Sequence, residues 1–286
     1  DLGRPGQAPH GVSISGALDR QSLSEANLCV GNAVGAAAIE IAYGGFAVKA
    51  GVPVTLAVAG APAPMKITTR EGRSFAAPHG RPFALDAGDE LTLTAPPEGT
   101  RSYLALRGGF AVKTILGSAA TDTLARIGPA PIREGDLLLA ENAPGAAVDP
   151  FRPASPFLPK PFDTVVIDVV TGPRADWFEP DALRLFFDQS WEVTSETSRV
   201  GARLRGAERL TRRETAELPS EGTPRGAIQV PHSGEPVLFL ADHPVTGGYP
   251  VIAVVARHHL DLAGQIPIGA RIRFRSLPGQ DHFRKD

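Results

Sequence analysis

The stretch from Pro236 to Pro250 gathers the side chains best placed to do chemistry. It reads Pro-Val-Leu-Phe-Leu-Ala-Asp-His-Pro-Val-Thr-Gly-Gly-Tyr-Pro, so an apolar run from Val237 to Ala241 delivers Asp242, His243, Thr246 and Tyr249 into a turn. Pro244 and Pro250 fix φ and remove backbone donors, while Gly247 and Gly248 permit tight turning and close approach. A carboxylate, an imidazole and two hydroxyls on a rigid turn after a buried strand can orient a small polar ligand or move a proton. An ordinary hairpin corner has the same composition, and the turn alone leaves both readings open.

Other polar residues also stand beside glycine turns. Arg4 lies in Leu2-Gly3-Arg4-Pro5-Gly6, and Ser15, Asp19 and Arg20 lie around Gly16. Arg107 ends the run Tyr103 to Leu106 just before Gly108-Gly109, with Thr121-Asp122 shortly after. Further along come Arg199 and Arg203, then Ser220-Glu221-Gly222, then Gln229 between Ile228 and Val230. A single arginine is ordinarily a surface ion pair of little worth. As a set, their forked donors suit a small anionic or ureido-like ligand.

The common catalytic signatures are missing. There is no Gly-x-Gly-x-x-Gly or Gly-x-x-x-x-Gly-Lys loop, no Gly-x-Ser-x-Gly elbow and no His-Glu-x-x-His pair. His258-His259-x-Asp261 could be drawn as a metal cluster, but adjacent histidines point apart on a regular element, so no metal site is expected. Pro64-Met65-Lys66-Ile67 resembles the Met-Lys centre of a biotin attachment site but lacks its second methionine and preceding acid; it reads as a strand start. Cys29, between Leu28 and Val30, reads as a buried small hydrophobe and suits a reducing cytoplasm.

These residues need a scaffold, and the composition says which kind. The chain has 286 residues, 42% of them hydrophobic, enough for a full core and for two domains. Its 29 basic and 31 acidic residues leave a net charge of −2, no footprint for nucleic acid or an anionic membrane. The 31 glycines and 27 prolines punctuate it into short strands. Strands are expected at 52–59, 90–94, 101–107, 164–170, 191–194, 237–241, 251–256 and 270–275, the last with Arg271, Arg273 and Arg275 alternating against Ile272 and Phe274. Helices are expected at 19–30 and 181–188, with a third short one ending near Gly264. The fold class is therefore mainly β, barrel or sandwich. Six prolines between Asn142 and Asp163 place a connection at 142–163, between a β domain at 1–141 and another at 164–286. Gly44-Gly45-Phe46-Ala47-Val48-Lys49 recurs as Gly108-Gly109-Phe110-Ala111-Val112-Lys113, read as two strand exits sharing one turn and one buried aromatic, with Gly247-Gly248-Tyr249 a looser third. Since residue 1 is Asp, a preceding segment is expected.

Read in order, Asp-Leu-Gly-Arg-Pro-Gly (1–6), Ser-Gly-Ala-Leu-Asp-Arg (15–20), Ala-Asn-Leu-Cys-Val-Gly-Asn (26–32) and Ala-Ala-Ile-Glu (37–40) form a pattern. It continues through Arg-Ser-Tyr-Leu-Ala-Leu-Arg-Gly-Gly (101–109), Leu-Gly-Ser-Ala-Ala-Thr-Asp (116–122), Arg-Val-Gly-Ala-Arg-Leu-Arg-Gly (199–206), Ser-Glu-Gly-Thr-Pro-Arg-Gly-Ala-Ile-Gln-Val-Pro (220–231) and the Thr-Gly-Gly-Tyr-Pro turn. This set resembles the biotin-dependent carboxyltransferase family often labelled allophanate hydrolase subunit 2, which includes KipA, the third subunit of bacterial 5-oxoprolinase and the carboxyltransferase part of urea carboxylase. The resemblance implies two cyclophilin-like β-barrel halves with a few short helices. It also implies a companion cyclophilin-like subunit of the KipI or allophanate hydrolase subunit 1 type, and a LamB/YcsF-type subunit in 5-oxoprolinase. The Ser-Ser-Lys signature of a true allophanate amidase is absent.

The implied function is ATP-dependent conversion of 5-oxoproline to glutamate, with this chain holding the lactam. The alternatives are carboxyl transfer from carboxybiotin to urea or a related amide, and a KipA-type regulatory partner countering a histidine-kinase inhibitor. Any such transfer needs preorganised donors for developing negative charge, a group to take a proton, and a dry site. Set against those needs, Arg107 and Arg199 are expected to clamp the anion and Gln229 to act as neutral donor and acceptor. Asp242 and Tyr249 are expected to orient or move a proton, with Thr246 lining the site and Asp122 and Glu221 as second choices. Asp242→Asn is expected to abolish turnover and leave the fold intact. No cofactor is expected to be bound covalently. Carboxybiotin and ATP, where used, come from partner subunits, so the chain is expected to be inactive alone.

Overall fold

A computed structural model describes residues 1–141, 145–149 and 157–277. The chain divides into two compact units, and neither is one continuous stretch. The first comprises Asp1–Gly3, Asp19–Thr121 and Ile127–Leu158; the second comprises Arg4–Leu18, Asp122–Arg126 and Pro159–Asp286. Of the expected connection at 142–163, residues 142–144 and 150–156 lie outside the described residues, and with them Pro144, Pro150, Pro153 and Pro156.

The first unit opens with helix α1 (Arg20–Cys29). Asp19 caps it by accepting the Ser22 N–H at 2.9 Å, and Leu23 and Ala26 bury its apolar side. There follow β1 (Ile39–Ala42), β2 (Phe46–Lys49), β3 (Val54–Gly60), β4 (Met65–Thr68), β5 (Ser74–Ala76), β6 (Phe83–Leu85), β7 (Glu90–Leu93) and β8 (Arg101–Leu106). They form two four-stranded antiparallel sheets, ordered β1-β8-β3-β6 and β2-β7-β4-β5. Leu56, Val58 and Leu104 from the first sheet and Ile67, Leu91 and Leu93 from the second share one core. β8 is buried along its whole length, so its polar groups must be matched internally. Tyr103 donates its hydroxyl to Glu40 at 2.8 Å and accepts the Asp19 N–H at 2.8 Å. Burial, reinforced by Glu40, pushes that phenol well above its usual value and keeps it a donor.

The repeated hexapeptide serves one purpose twice. Gly44 and Gly45, and then Gly108 and Gly109, all take positive φ, and Phe46 and Phe110 pack against the same core. A Cβ on Gly44 would stand 2.1 Å from the Thr94 carbonyl oxygen, which excludes any other residue. Gly247 and Gly248 do not take positive φ, so the third copy is not the same turn.

The second unit holds β9 (Thr164–Thr171), α2 (Pro180–Asp188), β10 (Trp191–Val193), β11 (Gly201–Arg205), β12 (Glu221–Gly222), β13 (Ala227–Gln229), β14 (Val237–Phe239), β15 (Thr246–Gly247), β16 (Val251–Val255), α3 (Leu260–Ala263) and β17 (Arg271–Ser276). Seven of these strands close a barrel in the order β10-β11-β14-β13-β16-β9-β17, and only β12 and β15 stand apart, as a two-stranded ribbon. Closure comes from the parallel pair β9 and β17, with Asp168 opposite Arg275. Alternation along β17 sends Ile272 and Phe274 inward and the three arginines outward. Pro180 opens α2, a position that needs no amide donor, and Phe186 of that helix stacks on Phe274 with ring centroids 4.6 Å apart. Trp191 is fully buried beside them and donates its indole N–H to Phe186 O at 3.0 Å. The fold is mainly β, as read from the sequence, and no helix among the described residues is long and apolar enough to cross a membrane.

Candidate functional site

The chain enters the expected turn earlier than its apolar run indicates. β14 ends at Phe239, and Leu240 and Ala241 run on, buried, to Asp242. Asp242 is fully buried and accepts five hydrogen bonds. Ser15 Oγ and Arg199 Nη2 donate to Oδ1 at 2.6 and 3.0 Å, while the Thr123 N–H, the Thr123 hydroxyl and Arg199 Nε donate to Oδ2 at 2.9, 2.8 and 3.0 Å. A carboxylate has about four lone-pair directions, so all are occupied. This is the geometry of an anchor and not of a proton acceptor, and the expected proton-transfer role of Asp242 does not fit it. Arg199 is similarly committed: besides Asp242 it donates to Gly16 O at 2.6 Å, so its guanidinium serves an internal anion, contrary to the expected clamp on a ligand.

Asp122 is a second anchor. It accepts Ser13 Oγ at 2.7 Å and the N–H groups of Leu124 and Ala125 at 3.0 and 2.8 Å. Together Asp242 and Asp122 tie Arg4–Leu18 and Asp122–Arg126 into the second unit. Ser15 makes that tie at some cost in strain, with φ at 54° in the left-handed region. Arg107 belongs to the first unit, where its Nη1 donates to Val30 O at 2.8 Å and Ala146 O at 3.2 Å. There Nη1 fastens backbone, while the side chain is exposed and no hydrogen bond among the described residues engages Nε or Nη2.

Three of the expected groups still open to a ligand lie around the ribbon of β12 and β15, which pairs Glu221 with Gly247 and Gly222 with Thr246. Gln229 sits at the end of β13, where the register slips between Ile228 and Gln229. Such a bulge re-aims a side chain. Its Nε2 donates to Tyr249 O at 2.8 Å; among the described residues no donor meets its Oε1. Thr246 and Tyr249 are exposed, and the Tyr249 ring meets His232 edge-on at 5.6 Å. Thus Gln229, Thr246 and Tyr249 come together with hydrogen-bonding capacity left over. Glu221 does not: its carboxylate is held by Arg174, a residue that sequence reasoning missed and whose only sequence signal is the Gly172-Pro173 turn before it. His243, buried at the start of the turn, has Nδ1 2.8 Å from Pro244 O and stacks on Phe239.

The expected divergence of His258 and His259 is wrong. They lie in a 3-10 turn, Arg257–His259, where the two rings approach to 4.3 Å, and their carboxylate neighbour is Asp168, not Asp261. His258 Nε2 lies 2.9 Å from Asp168 Oδ2, Arg275 donates to Oδ1 at 2.6 Å, and His259 Nδ1 accepts the Asp168 N–H at 2.8 Å. With an arginine on the carboxylate and one imidazole lone pair on a backbone donor, the cluster is built as an ion-pair network. Asp261 instead lies 3.6 Å from Arg225.

These groups fix a pH dependence. Burial holds the His79, His243 and His259 rings below the usual 6.5. As pH falls past about 6.5 the unfolded chain takes up protons that the folded chain resists, so stability drops. Asp168 acts lower: Arg275 above all, with His258, brings its carboxyl down to about 2. Its contribution is complete above about 3.9 and is lost as pH falls towards 2. The thermal midpoint should therefore decline in two limbs, and Asp168→Asn should flatten only the lower one. A midpoint unchanged between pH 7 and pH 5 would contradict this.

Comparison with known proteins places the chain. A family model described as a carboxyltransferase domain, subdomain A and B, matches residues 10–276. The C subunit of 5-oxoprolinase from Escherichia coli is 33% identical over 277 residues, covering 96% of this chain and 86% of that protein. Among solved structures, TTHA0988 is similar with a TM-score of 0.78 and 35% identity over 96% of this chain, which spans about half, 53%, of its length. The K. lactis urea amidolyase is similar with a TM-score of 0.84 and 28% identity over 96% of this chain, which spans 18% of its length.

Proposed function

Since the chain belongs to the carboxyltransferase family with subdomains A and B, we propose that it works as a subunit of an ATP-dependent 5-oxoprolinase, holding the lactam while the ring is opened to glutamate. The carrying observation is the 33% identity that runs over 96% of the chain and 86% of the E. coli 5-oxoprolinase C subunit. The open groups of the second unit suit such a ligand. Gln229 Oε1 can accept the lactam N–H, and the hydroxyls of Thr246 and Tyr249 can meet its carbonyl or carboxylate. Asp242 and Arg199 keep the strand-to-turn junction in place and touch no ligand in this reading. Activation by ATP is supplied by partner subunits, a companion cyclophilin-like chain and a LamB/YcsF-type chain, so this chain is inactive alone. This reading puts the assembly in the cytoplasm, a location that the lone, buried Cys29 suits.

A second reading, carboxyl transfer from carboxybiotin to urea or a related amide, is favoured by the TM-score of 0.84 to K. lactis urea amidolyase. Both readings ask the same residues to hold a small planar amide. Glutamate formation by the assembled subunits in the presence of excess avidin separates them. Unchanged turnover supports direct lactam opening, and turnover blocked by free avidin but not by avidin saturated beforehand with biotin supports carboxyl transfer.

A further inference from the structure

We propose that Arg174 is a positioning residue that latches the ribbon of β12 and β15 over Gln229; this rests on the reading of Gln229, Thr246 and Tyr249 as the ligand-holding groups. Gln229 is only 5% exposed, and the ribbon is what covers it. A Cβ on Gly247 would fall 2.5 Å from Gln229 Nε2, so the ribbon backbone lies directly against the amide, and Tyr249 O takes its N–H. A ligand that is to reach Gln229 Oε1 must therefore pass the ribbon.

What holds the ribbon down is polar. Its four paired residues, Glu221, Gly222, Thr246 and Gly247, are exposed or half-buried and contribute nothing to the barrel core. Beside their own pairing, the ribbon is attached by the Thr223 N–H to Val245 O at 3.0 Å and by the Thr223 hydroxyl to Pro244 O. Both of these join one ribbon arm to the other, and neither reaches the barrel wall. The wall contacts are the Gln229 amide of β13, lying against Gly247 and donating to Tyr249 O, and Arg174. Its backbone N–H donates to Val251 O at 3.2 Å, which seats it on β16. From there Nε reaches Glu221 Oε1 and Oε2 at 3.0 and 3.1 Å, and Nη2 donates to Oε1 as well. The fork-on-carboxylate geometry fixes direction as well as distance. The pair is about a third exposed, 35% for Arg174 and 31% for Glu221, so it can open and close without unfolding the barrel. Elements held by few apolar contacts open locally at low free energy.

The test compares Arg174→Ala and Arg174→Lys with the parent chain in two measurements. Hydrogen exchange at the amides of residues 221–223, 246 and 247 should quicken about three- to fivefold in Arg174→Ala, the range of a part-exposed ion pair, with exchange in β9 and β16 unchanged. Arg174→Lys keeps the charge and loses the fork, so it should fall between. Since opening of the ribbon is what admits the ligand to Gln229, KM for 5-oxoproline in the assembled enzyme should fall by the factor by which exchange quickens, while kcat holds. Ribbon exchange unchanged in Arg174→Ala overturns the latch, and so does faster exchange with an unchanged KM. A parent assembly that does not turn over 5-oxoproline removes the 5-oxoprolinase reading, and the exchange measurement alone then decides the latch.

Discussion

Asp242→Asn should cost the second unit about 3 kcal/mol of stability, whatever it does to turnover. The substitution keeps the shape and removes the charge that five donors share. An Asn amide can place only one oxygen, so its NH2 must face either the Thr123 N–H and Arg199 Nε or Arg199 Nη2, donor against donor, whereas the Ser15 hydroxyl can turn to accept. Arg199, with its side chain 21% exposed, is left without its counter-ion. Removing one partner of a fully buried pair costs about 3–5 kcal/mol, and the partial exposure of Arg199 sets the lower end. Both tryptophans of the chain, Trp177 and Trp191, belong to the second unit, so their fluorescence during urea unfolding follows that unit. A urea midpoint equal to that of the parent chain would contradict the anchor role and return Asp242 to the groups free to move a proton.

Trp191→Ala should be at least as damaging, by about 3–5 kcal/mol, through packing instead of charge. Trp191 is fully buried, lies 6.3 Å from the Phe186 ring and gives its N–H to Phe186 O. Phe186 in turn stacks on Phe274 of β17, the strand whose pairing with β9 closes the barrel. The cavity would therefore open beside the seam. Trp177 fluorescence still reports on this variant, and Trp191→Phe, which keeps most of the volume, should recover more than half of the loss. Equal loss in Trp191→Phe and Trp191→Ala would put the cost on the indole hydrogen bond and not on the cavity.

Strands that carry their own pattern were legible in the sequence. Arg271, Arg273 and Arg275 against Ile272 and Phe274 announce β17, and the Val/Ile run 164–170 announces β9. β12 and β15 have two residues each and no pattern that periodicity can read. The discontinuous units were equally hidden, because the tie that draws Ser15 into the second unit spans 227 residues to Asp242. The site was half legible. The turn at 242–249 does concentrate polar groups, but sequence cannot separate a carboxylate that faces a ligand from one saturated by its own chain. Asp242, Asp122, Glu221 and Arg199 proved to be engaged internally and Arg107 through Nη1 alone, while Gln229, Thr246 and Tyr249 kept open groups. The convergence of His258 and His259 was hidden because adjacent side chains diverge on a strand or helix, whereas here the chain makes a 3-10 turn.

In the proposed reading this chain supplies the lactam-holding part of a 5-oxoprolinase. This role is tested most directly by measuring glutamate released from 5-oxoproline and ATP by the assembled subunits, and by the same mixture lacking each subunit in turn. Glutamate formed only by the complete mixture, and lost when this chain is left out, is the predicted result. Glutamate formed at the full rate without this chain, or none from a folded and complete assembly, would contradict it.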